Sequence, residues 1–242
     1  MTVQGGTTVT PAEFTTLTTT IGSIPSHATL ERLALTITNF TRITFELDTL
    51  LTLPPSAFKP LYALSRLRNF EFQCTHGVVL LDDVAFTQMA RAWPDLEDLS
   101  LKCRRPHVGR VTLAGVLELA RRCRSLKSVR IALADVDHGQ CASLLARLKS
   151  GSLSAGAPVT SQHAITLDVG RPSIGEEDVS TVAEILTRAI PGLTALRHHW
   201  SYVSRGSNRN RPPSHEEMMT HRWDAVMRCI VAARGGGLPS VY

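Results

Sequence analysis

The chain has 242 residues, of which 43% are hydrophobic and 19% are charged, a balance that supports a sizeable core and excludes wholesale disorder. No stretch approaches the roughly 18 consecutive apolar residues of a membrane-spanning helix, so we expect no membrane partner. The net charge of +5 is mild and aromatic residues make up only 5%, which disfavours nucleic-acid binding, where a dense basic stripe with interleaved aromatics is usual.

The N-terminus is rich in threonine and has neither the basic nor the apolar region of a secretory signal. We predict that residues 1–27 form a flexible N-terminus, that residues 28–234 form one repeat domain, and that residues 235–242 form a flexible C-terminal tail. The five cysteines are odd in number and lack paired spacing, which indicates reduced thiols and an intracellular protein, cytoplasmic or nuclear.

An apolar triplet at positions i, i+3 and i+5 recurs through residues 28–234. It begins at residues 30, 67, 96, 126, 164 and 193, with His198 in the third position of the last triplet. Three of the five intervals are 29 or 30 residues long, and the two longer ones contain a proline-rich insertion (52–60) and a Gly/Ser-rich insertion (149–162). A period near 29 residues lies at the upper end of the range of leucine-rich repeats.

Amphipathic segments between the triplets predict helices at residues 82–93, 112–123, 139–150, 173–191 and 214–237. Asp82 and Thr112 are suitable N-caps, and two later segments begin with the serine and glutamate of a capping box, Ser173 with Glu176 and Ser214 with Glu217. Strands and helices that alternate at a fixed period predict an α/β leucine-rich-repeat solenoid, curved, with parallel strands on its concave side and helices on its convex side. An ordinary doubly wound α/β domain is the alternative, although no glycine-rich phosphate loop follows a predicted strand.

Three segments, "ARAWPDLEDLSLKC", "TLAGVLELARRCRSLKSVRIAL" and "AEILTRAIPGLTALRHHW", resemble the leucine-rich-repeat region of fungal F-box-type proteins, and the resemblance extends over residues 28–232. The fullest matching positions are Trp93, Pro94, Leu96, Leu99, Leu101, Cys123, Leu126, Val129 and Ile131. The resemblance implies the substrate-recognition part of a ubiquitin-ligase receptor. No F-box is visible, so we expect a fragment, a misplaced gene start or a lost F-box, and a Skp1-type adaptor as partner only if an F-box lies upstream.

In such repeats, the residues between the inward-facing apolar positions line the concave strand face. The predicted partner-binding residues are Arg32, Asn69, Glu71, Gln73, Asp98, Ser100, Lys102, Ser128, Arg130, Asp168, Arg197 and His199. Their mixed charges suit a protein or peptide ligand, because charges across an interface set specificity. A solvated face without a ligand is the alternative reading of the same pattern.

Catalytic chemistry finds little support in the sequence, since no G-x-S-x-G motif is present. Four histidines and a cysteine near the C-terminus invite a metal proposal: His198, His199, His215, His221 and Cys229. Adjacent strand residues face opposite ways, so we expect no metal site, and we predict no catalytic residue and no cofactor. The expected function is a non-enzymatic protein–protein interaction module, with a stand-alone scaffold unrelated to ubiquitin ligases or a small α/β enzyme as alternatives.

Overall fold

The computed structural model describes residues 2–5, 9–25, 29–37, 51–75, 77–103, 110–151, 164–200 and 213–235. Its strands are β1 (Thr2–Gly5), β2 (Arg32–Ile37), β3 (Leu51–Leu53), β4 (Asn69–Cys74), β5 (Gly77–Val79), β6 (Asp98–Cys103), β7 (Ser128–Arg130), β8 (Ile165–Asp168) and β9 (Leu193–Arg197). Its α-helices are α1 (Pro11–Ser23), α2 (Asp83–Ala92), α3 (Leu113–Arg122), α4 (His138–Lys149), α5 (Val179–Ala189) and α6 (His215–Ala233), and a 3-10 helix spans Pro55–Ala63.

The main sheet has seven strands in the order β1-β2-β4-β6-β7-β8-β9, and every neighbouring pair is parallel. The spatial order follows the chain order, and one helix separates each strand of this sheet from the next. The short strands β3 and β5 form a separate parallel pair. The predicted α/β class with a parallel sheet is therefore confirmed. The strand order does not reverse, whereas a doubly wound domain reverses its order at a switch point.

One face of the main sheet is apolar because alternate residues of each strand are buried. The hydrogen-bonded register aligns these residues across the strands, and one such row consists of Leu33, Phe70, Leu99, Val129 and Leu167. Alternation with a period of two directs the intervening residues to the opposite face. The predicted triplets thus mark the buried face of the sheet.

The core lies between this apolar face and a layer of helices. Neighbouring helices contact each other in chain order: α1 packs on the 3-10 helix, α2 on α3, α4 on α5, and α5 on α6. At the N-terminal end, the rings of Phe14, Phe58 and Phe72 join α1, the 3-10 helix and β4, with centroids 5.2 to 5.5 Å apart in edge-to-face geometry. Such aromatic pairs add to the stabilisation from their buried area.

Residues 1–27, expected to be flexible, instead contain β1 and α1. Thr10 and Glu13 form a capping box at the start of α1, and Phe14 and Ile21 are buried in the core. The hydroxyl of Thr18 donates to the carbonyl of Ala57 at 2.8 Å in a buried position. Threonine is a poor helix former in general, and this composition concealed a helix that tertiary packing stabilises. Of the predicted C-terminal tail, residues 236–242 lie outside the described part of the chain.

Three of the four N-caps predicted from the sequence are found in the structure, and the fourth is not. Asp82 and Thr112 cap α2 and α3, and Ser214 forms the expected capping box at α6. The capping box predicted at Ser173 does not form, because the backbone N–H of Ser173 donates instead to the carboxylate of Asp135 at 2.6 Å. Helix α5 starts only after Asp178.

The C-terminal helix α6 is attached to the preceding units through buried indoles. Trp200 Nε1 and Trp223 Nε1 both donate to the carbonyl oxygen of Pro172, at 3.0 and 2.9 Å. At the far end of α6, the guanidinium of Arg234 donates to the carbonyl of Ile190 at 3.0 Å. In the parts of the chain that the structure describes, no helix combines the length and the apolar character that crossing a membrane would require.

The pair formed by His138 and Asp178 makes the stability of the fold depend on pH. The buried Oδ1 of Asp178 lies 2.6 Å from Nδ1 of the exposed His138, and this hydrogen bond, followed by the charge of Asp178, raises the pKa of His138 above 6.5. The stabilisation is complete below the unfolded-state pKa of the histidine and is lost as the pH rises through the folded-state pKa. We expect His138→Gln to reduce the free energy of unfolding at about pH 5.5 and to have a smaller effect at about pH 8.5, measured by urea unfolding.

The exposed His221 on α6 provides the matched control for this measurement. His221→Gln removes the same ionisable group without touching the pair formed by His138 and Asp178. Its effect on the free energy of unfolding should not follow the same pH profile. An equal effect of His138→Gln at both pH values would contradict the prediction.

Candidate functional site: the polar face of the sheet

Three rows of aligned residues form the surface of the sheet opposite the core, which we call the polar face. The first row contains Arg32, Asn69, Asp98, Ser128 and Thr166, the second contains Ala34, Glu71, Ser100, Arg130, Asp168 and Arg197, and the third contains Thr36, Gln73 and Lys102. Eleven of the twelve predicted partner-binding residues lie in these rows. The twelfth, His199, follows β9 and reaches the second row through a hydrogen bond.

The half of the polar face formed by β4 and β6 carries balanced charges. Lys102 Nζ lies 2.6 Å from Glu71 Oε1, and both side chains of this pair are well exposed to solvent. Asn69 Nδ2 donates to Asp98 Oδ2 at 2.5 Å on the same two strands. An exposed ion pair of this kind adds little to stability, so these side chains are available for contacts with a ligand.

The half formed by β7, β8 and β9 is organised around the carboxylate of Asp168. Its Oδ2 accepts from Arg130 Nε at 3.2 Å and lies 3.0 Å from His199 Nε2, and its Oδ1 accepts from the backbone N–H of Gly170 at 3.2 Å. A carboxylate only accepts hydrogen bonds, which places the proton of His199 on Nε2. Asp168 anchors this region, because it is buried while the side chains of Arg130 and His199 that it contacts are exposed.

A turn at Gly170 brings His199 to Asp168. Gly170 has a φ of +74°, a left-handed conformation that glycine adopts without steric cost. Its backbone carbonyl accepts from the N–H of His199 at 2.6 Å. An added Cβ would lie 3.2 Å from the carbonyl oxygen of Ile131, so the close approach of the chains also favours glycine. The sequence pattern placed His199 on this face but gave no sign of Gly170, which positions it.

A row of charged residues directly before β4, β6 and β7 was also missed. Glu97 accepts from Arg68 at 3.2 Å and from Lys127 at 2.5 Å, so three successive units contribute one residue each. The hydrogen bond from Lys127 is the main cause that lowers the pKa of Glu97. The signal was available, since each of these residues directly follows the first leucine of one of three consecutive triplets.

A cavity of about 430 Å³ lies on the helix side of the protein, between α3 and α4. Buried apolar side chains such as Leu113, Leu133 and Leu144 form part of its lining. The carboxylates around it are already bonded within the fold: Asp83 accepts from Thr112, Asp135 accepts from Ser173, and Asp137 caps α4. These groups hold loops and helix starts together and do not converge on a common point of the cavity.

The histidines considered for a metal site point to different partners. His198 Nε2 lies 3.1 Å from Asp224 Oδ1, whereas His199 turns to Asp168 on the polar face. The ring of His215 packs on Trp200. The described residues contain no group of three or more histidine, cysteine, aspartate or glutamate side chains that could hold a metal ion.

No protein-family model matches the chain, and a search of curated proteins finds no match.

Proposed function

We propose that the chain is a curved leucine-rich-repeat solenoid, with strands on the concave side and helices on the convex side, and that it is a non-enzymatic protein–protein interaction module. The observation that carries the proposal is the polar face itself, on which residues of mixed charge stand in register across successive parallel strands. Units that alternate strand and helix at a fixed period create extended surfaces of this kind.

The polar face suits recognition by shape and charge. Opposite charges lie side by side on it, in the pair formed by Glu71 and Lys102 and in the contact between Arg130 and Asp168. A partner with the complementary arrangement gains favourable pairs, and a partner with like charges is rejected at a cost of several kcal/mol. The side chains stand on hydrogen-bonded strands, so little ordering is needed when a ligand binds.

The resemblance to fungal F-box-type proteins supports a more specific role. We infer that the module recognises the substrate of an F-box-type ubiquitin ligase in the cytoplasm or nucleus, with the protein substrate or a peptide of it on the polar face. A Skp1-type adaptor would bind an F-box upstream of this chain in a longer gene product. A stand-alone leucine-rich-repeat scaffold would use the same face without the ligase.

Blocking the centre of the polar face tests the proposal. Ser100 lies in the middle of the second row, and Ser100→Arg adds a long cationic side chain there. We expect the amount of each partner that co-purifies with the variant to be less than about one tenth of the amount that co-purifies with the tagged wild type. A tenfold loss of affinity corresponds to about 1.4 kcal/mol of binding free energy. Quantitative mass spectrometry of material from native cells measures the change.

Ala142→Arg is the matched control, because it adds the same side chain at an exposed position of α4 on the helix side. Lys102→Glu is a second, milder variant that reverses one exposed charge of the polar face. Melting curves of all variants establish that they are folded. Partners that survive both changes on the polar face would contradict the proposal, as would partners that Ala142→Arg removes equally. A Skp1-type adaptor among the partners would favour the ligase role over the stand-alone scaffold.

A further inference from the structure

We propose that the end of the polar face formed by β7, β8 and β9 is an oxyanion subsite that takes carboxylates from an acidic segment of a protein partner. The residues that would contact the carboxylates are Arg130 and Arg197, which we call the basic end. The inference rests on the proposed interaction function and deepens it, since it specifies the chemistry of the partner at one place on the face.

Asp168 holds Arg130 of the basic end in place. Its side chain is only 6% exposed, whereas those of Arg130 and His199 are 38% and 57% exposed, so the negative charge lies beneath the donors that it holds. Arg130 contacts Asp168 through Nε. Its two terminal nitrogens have no hydrogen-bond partner among the described residues, and they form the planar fork that binds a carboxylate in two parallel hydrogen bonds.

Arg197 completes the basic end from the other side of Asp168. The register places Arg130, Asp168 and Arg197 in one row on three adjacent strands. Two strand spacings separate the two arginines by about 10 Å at Cα, a distance that two long side chains can span to meet one carboxylate or two adjacent ones. Within the described ranges, Arg197 is exposed and has no ion-pair partner of its own.

The charge of the basic end differs from that of the rest of the polar face. In the β4–β6 half, Lys102 is neutralised by the exposed Glu71. In the β7–β9 half, the acidic side chain of the row, Asp168, is buried, and the exposed charged side chains are the cations Arg130 and Arg197. The neighbouring row contributes the small side chains Ser128 and Thr166, which leave room for a ligand chain across the strands.

A protein carboxylate fits this surface better than the phosphates of a nucleic acid. The described rows of the polar face contain no aromatic side chain on which a base could stack, and stacking is a main source of affinity for single strands. Glu71 and Asp98, farther along the same face, would repel a continuous phosphate backbone. A peptide can place acidic residues at the basic end and basic or neutral residues elsewhere.

The test uses the purified full chain and a fluorescein-labelled decapeptide of alternating glutamate and serine, with a glutamine analogue as the neutral probe. Fluorescence anisotropy at low salt measures binding. We expect Arg130→Ala and Arg197→Ala each to weaken binding of the glutamate peptide by about tenfold, as expected for the loss of one charge-assisted pair. The glutamine peptide should not bind measurably.

Arg91→Ala is the control for net charge, because it removes one exposed arginine from α2 on the helix side. It should leave binding within about twofold of the wild type, since a remote surface charge contributes only a screened interaction. Arg130→Lys keeps the charge but loses the planar fork, and we expect it to remain weaker than the wild type. An equal loss in Arg91→Ala, full binding in Arg130→Lys, or equally tight binding of an oligothymidylate would each overturn the assignment.

Co-purification of partners from cells distinguishes failure of this inference from failure of the proposed function. Loss of partners in Ser100→Arg together with their retention in a double variant, Arg130→Ala with Arg197→Ala, would leave the interaction function intact and overturn the acidic subsite. Retention of all partners in Ser100→Arg would overturn the interaction function on this face, whatever the peptide result.

Discussion

Trp93→Ala is expected to lower the free energy of unfolding by about 4 kcal/mol, the range for truncating a fully buried aromatic side chain. Trp93 has no exposed surface, and its ring lies 5.2 Å from that of Phe70 and 5.9 Å from that of Tyr62. Its Nε1 donates to the carbonyl of Leu61 at 3.2 Å. The substitution therefore leaves a cavity and an unpaired buried carbonyl, and urea unfolding followed by circular dichroism measures the loss.

Val84→Ala provides the control, because Val84 is 63% exposed on α2 and its truncation opens no buried space. If Trp93→Ala does not fold, Trp93→Phe retains an aromatic ring but removes the N–H donor and part of the buried ring volume, and the unpaired carbonyl alone is then expected to cost about 1 to 3 kcal/mol. If Trp93→Ala lowers the free energy of unfolding by less than about 1 kcal/mol, the connection between α2 and β6 does not depend on this packing.

Gly115→Ala is expected to destabilise the protein by about 2 kcal/mol, although alanine is the better helix former by up to about 1 kcal/mol. A Cβ at Gly115 would overlap Asp83 Oδ1 and lie 3.1 Å from Val111 Cγ1. The carboxylate of Asp83 accepts from the N–H and the hydroxyl of Thr112 at 2.7 and 2.6 Å. Displacing it would break the link between the start of α2 and the start of α3.

Gly139→Ala is the matched control for this prediction. Gly139 lies in the first turn of α4 and is exposed, and a Cβ there would meet only Asp137 Oδ1 at 3.4 Å. Helix propensity should dominate at this position and stabilise the protein by about 0.5 kcal/mol. Thermal or urea unfolding of both variants gives the comparison, and stabilisation by Gly115→Ala would contradict the steric argument.

The strands were predictable because burial with a period of two leaves a local signal. The first triplet is in register with the second, since Leu33 and Leu35 pair with Phe70 and Phe72, although its first residue, Leu30, is only partly buried. The proline-rich insertion also hid an element, since the 3-10 helix Pro55–Ala63 buries Phe58 and Leu61. Proline lacks the backbone donor that a regular α-helix needs, so helical periodicity is weak in such a segment.

The sequence was enough to predict which residues share the polar face, but not which of them contact one another. Once alternate residues are assigned to the core, the intervening ones must share the opposite face, which placed Glu71 and Arg130 correctly. His199 and Asp168 are 31 positions apart in the sequence, and their contact depends on the turn at Gly170. A long-range contact of this kind leaves no periodic signal in one sequence, and neither does the cavity between α3 and α4.

The sheet order described above also bears on how the chain can fold and evolve. Each strand of the seven-stranded sheet pairs only with the strands of that sheet that come before and after it in chain order, so each unit needs only its immediate neighbours to close its core. Folding can then begin in one well-packed pair of units and spread outward, with mainly short loops to close. For the same reason, duplication or deletion of a whole unit would lengthen or shorten the polar face without disrupting a core shared by all units.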